Sequence, residues 1–379
     1  MPINMRKTYD REPDIERLLT AFRCEEPDRV PFFELCIHKK HVNHFLKRPA
    51  IRDDGKPMSD IEYTTFGLLS PEDHLELCRR IGQDCMGVIG FAPRDLRVRG
   101  GDGEIRIMPS YSMIDGEFNP RSRRIGNVLD WGVLDSLLPY SEEIQLLPKL
   151  KWLERYLNAA KGTDVGVFYL SGPFWQDSHL TSGFNDFMTK IYKDREFVKE
   201  LIAFFAKYYV WEAQKVSRYP LAFYYFTDNI AYNSGSFTQP EIFKELWLPW
   251  VKKIIEPFRS KGIPVIFNSD GLINWILPEI VKLGFCALNP IKTPPNDIYA
   301  IKKKYGDRLC LIGNIDLAGP LGFGTPAEVM EDIKKHIHRL APGGGYVVAS
   351  SHDIGEHVAK ENFVAMVEAT HRYGAYPIV

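Results

Sequence analysis

Eight short apolar runs, each followed by a longer stretch of helical periodicity, limit what this chain can fold into. The runs are Val30–Leu35, Cys85–Ile89, Val165–Leu170, Leu221–Thr227, Pro264–Phe267, Phe285–Leu288, Leu309–Ile312 and Tyr346–Ala349. Most are nearly all apolar rather than alternating, the pattern of strands in a parallel sheet buried on both faces. The intervening stretches carry apolar residues at helical spacing, as in Pro71–Ile81, Glu142–Ala160, Phe197–Ser217, Pro240–Arg259 and Pro326–Leu340. Thr325 stands three residues before Glu328, a capping-box spacing that fixes one helix start. Crossover connections favour parallel neighbours, and eight strand–helix units can close on themselves. The predicted fold is therefore α/β, a (β/α)8 TIM barrel. A doubly wound sheet is the rival architecture, but no GxGxxG follows the first run.

Residues 91–163 exceed what one helix needs. Within them Arg97–Ile107 reads as a β-hairpin around Gly100-Gly101-Asp102-Gly103, so a small β-hairpin insertion is expected after the second strand. Residues 1–13 read as a loose N-terminal arm. No Gly/Ser linker divides the chain, and residues 1–379 are expected to form a single barrel domain.

Charge and composition narrow the function classes. Lys and Arg total 48 against 49 Asp and Glu, so no overall field draws the chain to nucleic acid or to an anionic membrane. No apolar run approaches the roughly 20 residues that span a bilayer. The polar start MPINMRKTYDREPD lacks the apolar core of a secretory signal, and the six cysteines show no CxxC spacing. The expectation is a soluble cytoplasmic protein acting on a small molecule, with a homodimer as the default assembly. Aromatic residues make up 13% of the chain, which fits an aromatic-rich core better than it demands a ligand slot.

A barrel builds its active site from residues just after its strands. Those positions hold Glu34, with His38 beyond it, then Phe174 and Trp175, Asp228, Asn268 and Asp270, Asp316, and His352. Taken singly, an Asp or Asn at such a place reads equally well as a helix cap. Together they put carboxylates, amides and an imidazole at one end of the barrel, where polar groups are costly unless something satisfies them. Asp228 and His352 are the expected catalytic pair, because a carboxylate fixes the tautomer of a histidine that trades protons near neutral pH. Glu34, His38, Phe174, Trp175, Tyr232, Asn268 and Asp270 are the expected substrate-binding residues. The run Lys39, Lys40, His41 and His44 reads as a solvated cap or as a seat for an acidic group.

The segments RLLTAFRCEEPDRVPFFE, FNSDGLINWILPEIVKLGFCALNPI, YGDRLCLIGNID, GTPAEVMEDIKKHIHRLAPGGGYVVASSHDI and ENFVAMVEATHRYG resemble the uroporphyrinogen decarboxylase superfamily over residues 14–379. That resemblance implies a (β/α)8 barrel. It also implies one of two activities: decarboxylation of a tetrapyrrole, or methyl transfer to or from a corrinoid carried by a partner protein. Two departures bear on the choice. True decarboxylases carry an arginine-containing MRQAGR-type stretch after the first strand, where this chain has Glu34-Leu35-Cys36-Ile37-His38-Lys39-Lys40. An arginine holds a carboxylate bidentately in a way a lysine does not. The thiol-activating methyltransferases bind zinc through His-x-Cys and a later Cys, where this chain has Asn268-Ser269-Asp270 and Ser350-Ser351-His352.

The run DNIAYNSGSFTQPEIFKELWLPW is similar to the ether O-demethylase branch of the superfamily. The resemblance thus implies a methyltransferase moving a methyl group from a small methylated substrate, such as a methoxylated aromatic, to the cob(I)alamin of a partner corrinoid protein. Zinc or another divalent metal on His352, Asp228, Asp270 or Glu34 stays open. The alternatives are a decarboxylase of a tetrapyrrole or other carboxylate, and a non-catalytic binding barrel.

Overall fold

Seven of the eight apolar runs form parallel strands of one curled sheet. In chain and spatial order these are β1 (Cys85–Ile89), β2 (Gly166–Ser171), β3 (Phe223–Thr227), β4 (Val265–Asn268), β5 (Ala287–Asn289), β6 (Cys310–Ile312) and β7 (Tyr346–Val347). The computed structural model describes residues 12–378 apart from 60–63, 65–68 and 114–123. Nearly all of the expected 1–13 arm lies outside the described residues.

The first run pairs differently. Phe32 bridges Gln83, just before β1, and Val348, just after β7, both in parallel, so this segment joins the two outer strands of the sheet. Pro31 has no N–H to give to a ladder. On the β1 side the Gln83 side chain stands in for backbone: its Oε1 accepts from Glu34 N at 2.8 Å, and its Nε2 donates to Cys85 O at 2.8 Å. On the β7 side Phe33 N donates to Val348 O at 3.0 Å. The result is a TIM-barrel-like α/β fold.

Both faces of the strands are dry, as the all-apolar runs require. Phe33, Cys85, Phe168, Leu170, Phe223, Tyr225, Ile266 and Ile312 pack inside the curl, against Leu18, Ala21 and Phe22 of the helix Ile15–Phe22. Phe168 stacks on Phe223 at 5.0 Å between ring centroids, and Phe22 meets Phe223 edge-on. Gly87 makes room for this, since a Cβ there would lie 2.1 Å from the Phe168 ring. Phe168→Ala would empty the centre at a cost of about 3–5 kcal/mol. The outward side chains, among them Met86, Val88, Tyr224, Phe226 and Phe267, join the larger core under the helices.

Helices follow the strands near their expected places. Pro326–Leu340 begins with the capping box between Thr325 and Glu328. The predicted helix Pro240–Arg259 is two helices, Pro240–Leu246 and Leu248–Arg259, broken at Trp247 ahead of Pro249, which has no N–H to continue the ladder. Between β1 and β2, Asp95–Arg99 and Ile105–Pro109 form an antiparallel hairpin, with Leu137–Leu138 added to its edge. The helix Leu147–Ala160 packs on β1 and β2 like its counterparts, so the extra chain ends near the π-turn Glu142–Leu146, short of residue 163. Among the described residues no helix is long and apolar enough to cross a membrane.

Candidate active site

The C-terminal ends of the strands surround a cavity of about 170 Å3. Its wall includes Glu34, Phe91, Gln176, Thr227, Asn229, Asn268, Asp270, Asn289, Ser350, His352 and Asp353. Gln176, Asn229 and Asp270 also line an outer hollow of about 520 Å3 that Tyr232, Phe184, Phe237 and Lys292 complete. Tyr232, 47% exposed, thus stands at the outer mouth. A hollow of about 640 Å3 between the insertion and the helix Arg195–Val216 contains none of the strand-end residues.

His352 lies between two carboxylates. Its Nε2 is 3.3 Å from Asp270 Oδ2, and its Nδ1 is 3.5 Å from Asp353 Oδ2. When the ring is neutral, the backbone N–H of Asp353 donates to Nδ1 at 2.7 Å and the ring proton is on Nε2, facing Asp270. The hydrogen bond to Asp270, aided by the charge of Asp353, overcomes burial and raises the His352 pKa to about 9. Burial works against ionised Asp270, yet the bond and charge of His352 hold it below the ordinary carboxylate range.

Asp270 is aimed by its neighbours. Its N–H donates to Asn229 Oδ1 at 3.0 Å, and Asn229 Nδ2 donates to Gln176 Oε1 at 2.9 Å. Gly271 follows at φ +84°, with Ala231 O 2.5 Å from where a Cβ would sit, so only glycine fits that bend. Asn268 joins the floor, its Oδ1 accepting from Thr227 Oγ1 at 2.7 Å and its Nδ2 donating to Tyr225 Oη at 3.1 Å. Glu34 accepts from Ser350 N at 2.7 Å and Ser350 Oγ at 2.6 Å. Burial outweighs those two bonds, Asp353 adds repulsion, and the Glu34 pKa rises to about 8.

Four of the expected site residues lie elsewhere. Asp228 does not meet His352. It is fully buried and accepts from Trp175 N at 3.1 Å, Gln176 N at 2.9 Å and Trp247 Nε1 at 2.9 Å. Side chains alternate along β3: Tyr225, Thr227 and Asn229 face inward, while Phe226 and Asp228 point out to the helices. The carboxylate instead fastens the start of the helix Phe174–Ser182, and so places Gln176 at the cavity. Phe174 and Trp175 are wholly buried, Trp175 against Phe187 and Phe243, and belong to the core. His38 is buried as the cap of the helix Lys39–Leu46, its side chain accepting from Lys40 N.

Lys40 Nζ donates to Glu356 O and Val358 O, so this lysine ties down the loop after β7. Asp316 accepts from Ala318 N in its own turn, outside the cavity. The four candidate metal ligands do not converge, since Asp228 is turned away and bonded to three N–H groups. Among the described residues no group of three or more His, Cys, Asp or Glu is placed to hold a metal ion.

Asp353, Asn229, Gln176 and Asn289 were not expected at the site. Asp353 adjoins His352, and Asn229 shares the inward phase of Tyr225 and Thr227, the one signal that pointed to them.

A profile of the uroporphyrinogen decarboxylase (URO-D) family matches residues 135–373, more than half the chain. The chain belongs to that family. Relatives in it include uroporphyrinogen decarboxylase of Neisseria gonorrhoeae (strain NCCP11945), 27% identical over 141 residues, which are 36% of this chain and 38% of that one. The enzyme of Enterobacter sp. (strain 638) is 28% identical over 137 residues, 35% of this chain and 37% of that one. The similarity therefore spans under two-fifths of these relatives' length. In three dimensions the chain is similar to a methyltransferase from Methanosarcina mazei, with a TM-score of 0.65 at 17% identity, covering 96% of this chain and 99% of that one. At that identity the likeness is one of fold.

Proposed function

We propose that the protein is a methyltransferase that moves a methyl group from a small methylated substrate, in the first instance a methoxylated aromatic, to a corrinoid presented by a partner protein. In this reading the segment Val30–Leu35 completes a closed (β/α)8 barrel, with the 95–109 hairpin as a rim insertion. The observation that carries it is the His352 Nε2–H, fixed by Asp353 and Asp270 beside a cavity of about 170 Å3. Pockets for drug-sized ligands run to roughly 300–1,000 Å3, so this one suits a single small ring. A tetrapyrrole with eight carboxylates is poorly served by it, because Glu34, Asp270 and Asp353 face inward and none of the described wall residues is Arg or Lys.

The reduced corrinoid, when its carrier docks, supplies the nucleophile that takes the methyl group. The chain's own residues deal with what is left. As the methyl carbon–oxygen bond breaks, its electron pair stays on oxygen, and the imidazolium of His352, charged at neutral pH, gives that oxygen its Nε2 proton and is left as neutral imidazole. Asp270 holds the imidazolium in place before this transfer, and Asp353 Oδ2, 3.5 Å from Nδ1, adds to its charge stabilisation. Thr227 Oγ1 and the carboxylates of Asp270 and Asp353 offer acceptors to a hydroxyl of the ring, while Asn268 and Asn289, bonded to Tyr225 and to Ile312 O, hold the floor. The Gln176–Asn229 pair keeps Asp270 aimed.

Methyl transfer from a methoxyphenol to free cob(I)alamin, measured for the native chain and for His352→Ala, tests the proposal. A loss of about a hundredfold or more is expected. Unchanged turnover removes His352 from the mechanism. Release of CO2 from uroporphyrinogen, seen as a fall in product mass, would return the chain to the decarboxylases. Sedimentation of the purified chain tests the homodimer.

A further inference from the structure

The cavity wall is unusually acidic for its size. Glu34, Asp270 and Asp353 face it, against the single basic side chain His352. Lys292 belongs to the outer hollow, and Lys40 is bonded to backbone carbonyls of the loop after β7. A carboxylate guest would meet like charges with no guanidinium or ammonium to offset them, and juxtaposed like charges discriminate strongly between partners. A methylated ammonium guest fares no better. Cations of that kind are held by cages of aromatic faces, and Phe91 is the one aromatic ring among the described residues of this wall. His352 in addition opposes a second positive charge.

Resting on the methyl-transfer reading, we infer that the substrate is an uncharged methoxylated phenol, and that the same ring bearing a carboxylate is turned away by Asp353 and Asp270. A neutral hydroxyl has acceptors on every side of this cavity, whereas an anionic group has almost none of the donors it needs. Specificity here comes from repulsion of the wrong guest as much as from contacts with the right one.

Calorimetric titration of the full chain at pH 7 with 2-methoxyphenol, with 4-hydroxy-3-methoxybenzoate and with tetramethylammonium tests the inference, alongside methyl transfer to cob(I)alamin from the two rings. The neutral ring should bind at least about tenfold tighter than its carboxylate. Asp353→Asn, which removes one acid, should narrow that gap. Equal or tighter binding of the carboxylate, or tighter binding of tetramethylammonium, overturns the inference. Should the neutral ring bind preferentially without methyl transfer, the charge argument stands and the methyltransferase reading falls. Transfer from both rings at equal rates leaves the methyltransferase reading standing and sinks the charge argument. If neither ring binds, both fall.

Discussion

Two charged clusters differ in how completely they are satisfied, one packed against β1 and β2, the other after β4 and β7. Around Glu212, Tyr169 and Tyr208 donate to Oε1 at 2.9 and 3.0 Å, and Ser171 donates to Oε2. Lys149 lies 3.7 Å from that carboxylate and donates to Tyr208 Oη and to the carbonyls of Gly90 and Phe91. Burial pushes Glu212 up and Lys149 down, while the attraction between them opposes both shifts. This cluster is closed. Its product is a fixed β1 end, with Phe91 held at the cavity wall. Around His352 the imidazole and its two carboxylates open on a cavity, with carboxylate acceptor capacity left over. Buried charge alone therefore does not mark a site; unfinished hydrogen bonding beside a cavity does.

The largest expected effect separates the two in opposite currencies. His352→Asn should lower methyl transfer by about 10²–10⁴-fold, while its unfolding free energy in urea falls by about 1.5 kcal/mol, the low end for a hydrogen bond to a charged group. Glu212→Ala strands Lys149 in the interior and should cost about 3–5 kcal/mol in the same titration. If His352→Asn proves as destabilising as Glu212→Ala, the contrast between an open and a closed cluster is lost.

Asp228 sharpens the comparison, since it resembles Glu212 in having its donors in place. Asp228→Asn should cost about 1.5–3 kcal/mol through weakened charge-assisted bonds. It should slow turnover by loosening Gln176, with the pH profile unmoved. A large rate loss at native stability would instead make Asp228 a proton carrier.

The gentlest test is pH. The folded-state pKa of His352 stands at about 9, above its ordinary value. Its charged pairing with Asp270 is thus fully present below the unfolded value of about 6.5 and disappears as pH rises through about 9. A falling limb in kcat/KM near there is expected. Asp270→Asn, which removes the main cause of the upward shift, should move that limb to lower pH. A limb that stays put would show that another group titrates.

Much of the fold was legible from the chain. The all-apolar runs announced a sheet dry on both faces, and Thr325 with Glu328 announced a helix start that the structure keeps. The Trp247 break was hidden because Pro249 fits the first turn of a new helix as readily as it ends an old one. The first run kept its place but not its ladder, because Pro31 and the Gln83 side chain interrupt the pairing. At the site, Glu34, Asn268, Asp270 and His352, each read as following a strand, line one cavity. The same reading fails for Asp228, Phe174 and Trp175, which are equally strand-terminal and face the other way.

The sequence by itself determined the order of strands and helices and the end of the sheet at which polar residues collect, because periodicity and local capping are properties of neighbouring residues. Only the tertiary structure decided the phase of each strand, and hence that Asn229 rather than Asp228 meets Asp270. The physical reason is symmetry of environment. When both faces of a strand are buried among apolar side chains, the run reads the same in either phase, and the curl of the sheet alone selects which alternate residues look inward.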